Sequence, residues 1–128
     1  MFNKEIIFVY NADSDWFSSL SDFAHKIISP STYTCQLCSL TFGKFAMKHE
    51  WKSFLETLPA SIIFLHKNEF VQQYQIETDL PVILIKRNKT INTFISKQEI
   101  ESCKRLSDLK DLILLKLEKD DQHYHSNF

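Results

Sequence analysis

The chain has 128 residues, of which 44% are hydrophobic, and its formal net charge is -1. A single glycine excludes phosphate-binding loops, dinucleotide-binding turns and nucleophile elbows, because each of these motifs needs several positions without a Cβ atom. The balanced charge offers no basic excess for binding a phosphate backbone, so we expect no nucleic-acid partner.

The length predicts one domain with its own hydrophobic core. We place this domain at residues 1–119 and expect the polar segment 120–128 to be a disordered tail. The apolar runs are far shorter than the ~20 residues that a transmembrane helix needs, and no signal peptide is recognisable. We therefore expect a cytoplasmic protein that does not associate with membranes.

The first half of the chain predicts a strand and two helices separated by a cysteine-containing loop. Residues 5–10 are a short apolar run rich in β-branched residues, which is typical of a buried strand. Residues 15–28 place apolar side chains at helical spacing along one face. Residues 33–44 have no clear period, and the apolar spacing then predicts a second helix over about 45–58.

The second half predicts a strand, a short helix, a β-hairpin and a last helix. Short runs of β-branched and aromatic residues predict strands at 61–66, 82–86 and 90–95. Between the first two of these strands we expect a helix over 68–74, capped by Asn68. Asn88 is the residue expected to take a positive φ in the hairpin turn, and Ser107 is expected to cap the last helix.

This order of elements predicts an α/β fold with a mixed four-stranded sheet flanked by helices. The first two strands are joined by helical sequence, which predicts a parallel pair with a right-handed crossover. The last two strands are joined by a tight turn, so they are expected to be antiparallel. Helices covering such a sheet complete the core.

The order of elements over about residues 5–118, together with Leu80-Pro81 directly before the third strand, resembles the thioredoxin-like superfamily, most closely a glutaredoxin-like core. The resemblance implies a cis peptide bond before Pro81, beside the active site. It also implies thiol–disulfide chemistry at a CxxC motif. One further run is similar to small uncharacterised bacterial proteins and implies no activity: His25-Lys26-Ile27, Ser29-Pro30, Thr32-Tyr33, Cys35, Leu37-Cys38, Leu40-Thr41 and Gly43.

The three cysteines are Cys35, Cys38 and Cys103. An odd number without a secretion signal argues against a disulfide framework. Cys35 and Cys38 form a CxxC motif, which in a cytoplasmic protein indicates redox chemistry or half of a metal site. In thioredoxin-like proteins this motif opens the helix directly after the first strand. Here Asn11–Ser14 occupy that place, and the CxxC comes after an additional helix.

Three hypotheses remain open for this pair of cysteines. In a redox role, one cysteine attacks as the thiolate and the other resolves the mixed disulfide, with an unknown protein or a small thiol as partner. In a metal role, Cys35 and Cys38 bind zinc together with His25 or His49, in a binding module without enzymatic activity. In a structural role, both cysteines only pack a loop. An interaction domain without chemistry, using exposed aromatic side chains, is a further alternative.

A candidate pocket lies where the first predicted strand ends. Ligands of open α/β sheets bind at the carboxyl ends of the strands. We therefore predict a small pocket formed by Asn11, Asp13, Ser14 and Pro81, although Asp13 or Ser14 could instead only cap the following helix. If the cysteine sulfurs lie near this pocket, the fold has built a thiol site from a different loop. Sulfurs on the opposite face would argue against a redox role inherited from the fold.

Overall fold

The computed structural model describes residues 4–12, 35–43 and 46–126, with the side chains of 122–126 excepted. The predicted helix over 15–28 lies outside these ranges, as do Asp13, Ser14 and His25. The described residues form β1 (Lys4–Val9), α1 (Gln36–Thr41), α2 (His49–Glu56), β2 (Ser61–Leu65), α3 (Lys67–Gln73), β3 (Val82–Arg87), β4 (Thr90–Ile95), α4 (Lys97–Glu101) and α5 (Leu106–Ser126). Within them, no helix is both long and apolar enough to cross a bilayer.

The four strands form one mixed sheet in the order β2-β1-β3-β4. β1 is parallel to β2 and antiparallel to β3, and β3 is antiparallel to β4. The prediction of an α/β fold with a mixed four-stranded sheet flanked by helices is therefore confirmed.

The central position of β1 explains why its sequence is apolar without interruption. Successive side chains of a strand point to opposite faces of the sheet. Ile6 and Phe8 belong to a large core cluster that includes residues of α1, α2, α4 and α5. Ile7 and Val9 belong to a smaller cluster that includes Phe70 of α3. Both faces of β1 are thus covered by helices.

Two short helices differ from the sequence prediction, one in its cap and one in being present at all. The N-cap of α3 is His66, two residues before the predicted Asn68, and Glu69 completes a capping box with it. Residues 96–101 contain the helix α4, which we did not predict. Its capping box joins Ser96 and Glu99, a spacing that is visible in the sequence. In the hairpin between β3 and β4, Asn88 has a φ of 55°, as predicted.

The last helix is longer than the sequence indicates. α5 continues to Ser126, beyond residue 119, where we expected the folded domain to end. Two ionic contacts hold this part of the helix against the sheet. Lys4 Nζ lies 2.7 Å from Asp121 Oδ1, and Arg87 pairs with Asp120. Acidic side chains that look solvated in the sequence are therefore ion-pair partners of the sheet.

Candidate functional site

One end of the sheet gathers several of the residues singled out in the sequence. Because β1, β2 and β4 run in one direction and β3 in the other, the carboxyl ends of three strands meet the amino end of β3. Asn11 follows β1 at this end, His66 follows β2, and Pro81 precedes β3. The Leu80–Pro81 peptide bond is cis, and Pro81 is buried.

The two cysteines of the CxxC motif lie at the same end of the sheet. They form a disulfide with a Cα–Cα distance of 5.2 Å. Cys35 is the N-cap of α1, and its sulfur accepts a hydrogen bond from the Cys38 backbone N–H at 3.3 Å. The same sulfur accepts a second bond from the Asn11 backbone N–H at 3.4 Å. The CxxC motif, although it lies 24 residues further along the chain, therefore contacts Asn11, close to the end of β1.

Both sulfur-bearing residues are enclosed by the core. Cys35 is 0% exposed and Cys38 is 2% exposed. They share the large cluster with Leu37 and Leu40, the apolar residues of α1. The disulfide is consequently shielded from a bulky thiol in this conformation.

A buried polar group lies between α1, α2 and the end of β1. The hydroxyl of Tyr10 interacts with the side chains of Thr41 and Trp51. Burial raises the pKa of Tyr10 above its ordinary value, and the nearby polar side chains of Thr41 and Trp51 only partly oppose this rise. Thr41 Oγ1 donates to the Leu37 carbonyl oxygen at 2.7 Å. Tyr10 therefore stays neutral, and its ring packs against Phe42, the residue directly after α1.

The residue after Cys35 connects α1 to a distant part of the chain. Gln36 Nε2 donates to the Cys103 carbonyl oxygen at 2.6 Å. The other atom of the amide group, Oε1, accepts from Ser39 Oγ at 3.2 Å. Both ends of the Gln36 amide are therefore engaged, and they fix its orientation.

The third cysteine is a poor nucleophile. Cys103 is 3% exposed and has a free thiol. Burial raises the pKa of this thiol, and the carboxylate of Asp108 raises it further. A buried, protonated thiol is unreactive toward solvent reagents.

An open cleft of about 620 Å³ has Asn11 in its lining. α3 forms one wall, and the segment that leads to Pro81 forms the other. Lysine and acidic side chains both line the cleft. The lining residues are Asn11, Lys67, Phe70, Val71, Tyr74, Gln75, Ile76, Glu77, Thr78, Asp79, Leu80 and Lys97. Four residues were predicted to form a pocket. Of these, Asn11 lines the cleft, and Pro81 is the neighbour of the lining residue Leu80.

The residues proposed for a metal site have different fates. Cys35 and Cys38 are bonded to each other. His49 is exposed at the start of α2, and His25 is outside the described ranges. In the part of the chain that the structure describes, no group of three or more His, Cys, Asp or Glu residues could hold a metal ion. Zinc binding stays a prediction.

Comparison with known proteins adds no functional assignment. No protein-family model, curated protein or solved structure matches the chain. The functional interpretation of the candidate site therefore rests on the geometry of the site alone. Its least predictable features are two polar contacts to Cys35 and Gln36, since each joins segments that are far apart in the sequence.

Proposed function

We propose that this chain is a small thioredoxin-like protein that acts in thiol redox chemistry or redox sensing through Cys35 and Cys38. The observation that carries the proposal is the Asn11 N–H bond to the Cys35 sulfur. It brings the disulfide to the carboxyl end of the central strand, where α/β proteins of this architecture bind ligands. The strand order, the strand directions and the cis bond before Pro81 support the thioredoxin-like part of the proposal.

Cys35 is the attacking thiol in this proposal, and Cys38 is the resolving one. Two backbone N–H groups point at the Cys35 sulfur, those of Asn11 and Cys38. Hydrogen bonds donated to a charged group favour its charged form. In the reduced protein they would favour a thiolate at Cys35, and the thiolate is the nucleophile in exchange.

The proposed reaction is a two-step exchange with a disulfide of a protein or small molecule. The Cys35 thiolate attacks one sulfur of the partner disulfide, forming a mixed disulfide and releasing the other sulfur as a thiolate. The Cys38 thiol then loses its proton and attacks the Cys35 sulfur. This step forms the Cys35–Cys38 bond and releases the second partner thiolate. The partner gains two electrons, and the protein loses two.

Because the disulfide is buried, both redox catalysis and redox sensing require that it first becomes accessible to a reductant. A reductant must reach a sulfur that has almost no exposed surface. Reduction therefore requires a local movement of α1, a helix of only six residues. We expect dithiothreitol to reduce the native protein at least about tenfold more slowly than the urea-unfolded protein, since local opening limits access.

The test measures both the nucleophile and the exchange. In the reduced protein we expect Cys35 to be alkylated faster than Cys38 at neutral pH, as measured by mass spectrometry of the labelled peptides. Reduction of insulin disulfides should be lost in Cys35→Ser and in Cys38→Ser. The matched control is Cys103→Ser, which removes a thiol outside the motif and should retain the activity. Equal, slow alkylation of both cysteines and no exchange with any disulfide would contradict the proposal.

A further inference from the structure

Two polar contacts attach the start of α1 to other parts of the chain, and only one of them involves a sulfur atom. One is made by the Cys35 sulfur itself, through Asn11. The other is made by Gln36, whose side-chain amide reaches the Cys103 carbonyl oxygen at 2.6 Å. The second contact does not involve either sulfur, so opening the disulfide leaves its atoms chemically unchanged.

α1 needs such contacts to keep its position. It has six residues, well below the ~12 residues at which isolated helices become even marginally stable. Its first turn carries both cysteines. The placement of the two sulfurs therefore depends on what α1 is attached to.

Ser39 makes the Gln36 contact directional. Its hydroxyl lies 3.2 Å from Gln36 Oε1 and 3.0 Å from the Gln36 carbonyl oxygen, and the two acceptors share its single hydrogen. The amide nitrogen is thereby turned toward Cys103. The acceptor is a backbone carbonyl in the connection between α4 and α5, and Cys103 N–H is itself bonded to the Ile100 carbonyl. The acceptor is thus part of an ordered turn.

We propose that Gln36 is a positioning residue that sets the redox equilibrium of the Cys35–Cys38 pair. Its bond to the Cys103 carbonyl is formed in the oxidised protein, and reduction frees the first turn of α1 and weakens this bond. Gln36 therefore favours the arrangement in which the two thiols are within bonding reach, because a contact that is stronger in one state shifts the equilibrium toward that state. This raises their effective concentration and favours closure of the disulfide. The inference rests on the proposed function, because it assigns a role at the same cysteine pair.

The test is a redox titration of the pair against dithiothreitol or glutathione buffers, which requires no partner protein. Gln36→Met keeps the length of the side chain and a favourable helix propensity but removes the donor. Loss of one hydrogen bond should lower the equilibrium constant for disulfide closure by about three- to tenfold. A tenfold change corresponds to about 30 mV for this two-electron couple. Ser39→Ala, at an exposed position, should lower the constant by less than Gln36→Met does.

Two controls separate positioning by Gln36 from an effect of the Cys103 thiol and from general loosening of the fold. Cys103→Ser keeps the carbonyl acceptor and removes the thiol, so its constant should stay within about twofold of the wild type. Asp121→Asn removes the 2.7 Å contact with Lys4 at the opposite end of β1 and leaves the residues that Gln36 contacts unchanged. It should lower the unfolding midpoint and leave the redox constant within the same limit.

The inference is wrong if Gln36→Met titrates like the wild type. It is also wrong if Cys103→Ser or Asp121→Asn shifts the constant as far, since the thiol or general loosening would then be responsible. Either result leaves the exchange activity of the wild type untouched, so the failure of this inference differs from that of the proposed function. Circular dichroism of the oxidised variants establishes that each is folded. If Gln36→Met is unfolded, an unchanged constant in Ser39→Ala overturns the inference.

Discussion

The two ends of the central strand are held by different chemistry. At the carboxyl end of β1, the backbone N–H of Asn11 donates to the Cys35 sulfur, and apolar residues of the large core cluster enclose the cysteine pair. At the amino end, Lys4 and Arg87 pair with Asp121 and Asp120 of α5. Ion pairs between side chains hold the amino end of β1 to α5, whereas the cysteine end contains a disulfide that a reductant can break.

The comparison indicates a division between stability and chemistry within one small sheet. Ion pairs at the amino end are insensitive to redox conditions, so this end stays closed when the disulfide opens. Any movement that exposes Cys35 is therefore expected at the other end, around α1. Four predictions follow in order of decreasing expected effect, and a fifth, at Asn88, is paired with the last of them for contrast.

Reduction of the disulfide should have the largest effect on stability. The bond closes a very short loop, with a sequence separation of 3. The chain-entropy contribution is then about 2 kcal/mol. We expect dithiothreitol to lower the free energy of unfolding by that amount in urea denaturation of the wild type.

The matched controls for this prediction are the double variant Cys35→Ala/Cys38→Ala and the single variant Cys103→Ala. The double variant should show no dependence on the reductant, and Cys103→Ala should keep all of it. Equal stability of the wild type in oxidising and reducing buffer would contradict the expected contribution of the bond.

At the charged end, removal of one acidic partner should have a smaller effect. Lys4 is 7% exposed, and Asp121→Asn leaves its ammonium group without this carboxylate. Since the side chain of Asp121 is 47% exposed, solvent screens the pair, and we expect a loss of about 1 kcal/mol in denaturation experiments.

Lys4→Met is the matched control, because it replaces the buried charge with an apolar chain of similar length. It should change the stability by less than about 0.5 kcal/mol. A larger loss in Lys4→Met than in Asp121→Asn would show that the ammonium makes a favourable contribution beyond its pairing with Asp121.

The pH dependence of stability should involve Glu99, near the cysteine end. Burial alone would raise the pKa of Glu99, but hydrogen bonds from Lys116 and from the Ser96 backbone lower it below its ordinary value of 4.5. A carboxyl group with a lowered pKa in the folded state stabilises the protein above its ordinary pKa. This contribution is lost as the pH falls below 4.5.

Urea denaturation at several pH values between about pH 6 and about pH 3 measures this effect. Lys116→Met should flatten the part of the profile that belongs to Glu99, whereas Asp121→Asn should leave that part in place. An identical acid profile in Lys116→Met and the wild type would exclude a stabilising role for the Glu99–Lys116 pair.

The smallest effect is expected at the single glycine. Gly43 does not have a positive φ, and an added Cβ atom would lie 3.6 Å from the Ala46 carbonyl oxygen, an ordinary contact. Gly43→Ala should therefore stabilise the protein by about 0.5 kcal/mol, because it restricts the unfolded chain.

Asn88 provides the opposite case, since its φ is 55°. Asn88→Ala should destabilise the protein by about 1 kcal/mol, and Asn88→Gly should be tolerated. Thermal unfolding of the two alanine variants compares them directly. Destabilisation by Gly43→Ala would mean that position 43 needs a backbone conformation that only glycine adopts readily.

The sequence predicts the sheet well for a simple physical reason. The four strands are short runs of apolar or β-branched residues, and the bounds predicted for β4, 90–95, agree with the structure. The sequence of β1 is apolar on both faces of the strand because helices cover both faces of the sheet there, and this pattern predicts a buried strand. The parallel pairing of β1 with β2 follows from the long helical sequence between them.

The cysteine site is less predictable, because its contacts leave no periodic signal. α1 is too short for a helical repeat, and cysteine is not among the common N-cap residues. The bond to the Cys35 sulfur comes from a backbone N–H that is 24 residues away. Any residue except proline could provide that donor, so no side-chain type at position 11 indicates it.

α4 is the element that could have been predicted. Ser96 and Glu99 have the spacing of a capping box, and both capping bonds form. The helix has only five residues, so its apolar period is too short to be recognised. The cap was the available signal.

The Asn11 amide has a practical consequence for spectroscopy. Its proton points at a sulfur that is bonded in the oxidised protein and becomes a thiol or thiolate on reduction. The resonance of this one backbone amide in a nitrogen–proton correlation spectrum should therefore shift with the redox state. The β1 amides that precede it, paired within the centre of the sheet, provide an internal reference. One backbone amide at the end of β1 would then report the oxidation state of the cysteine pair without chemical modification of the cysteines.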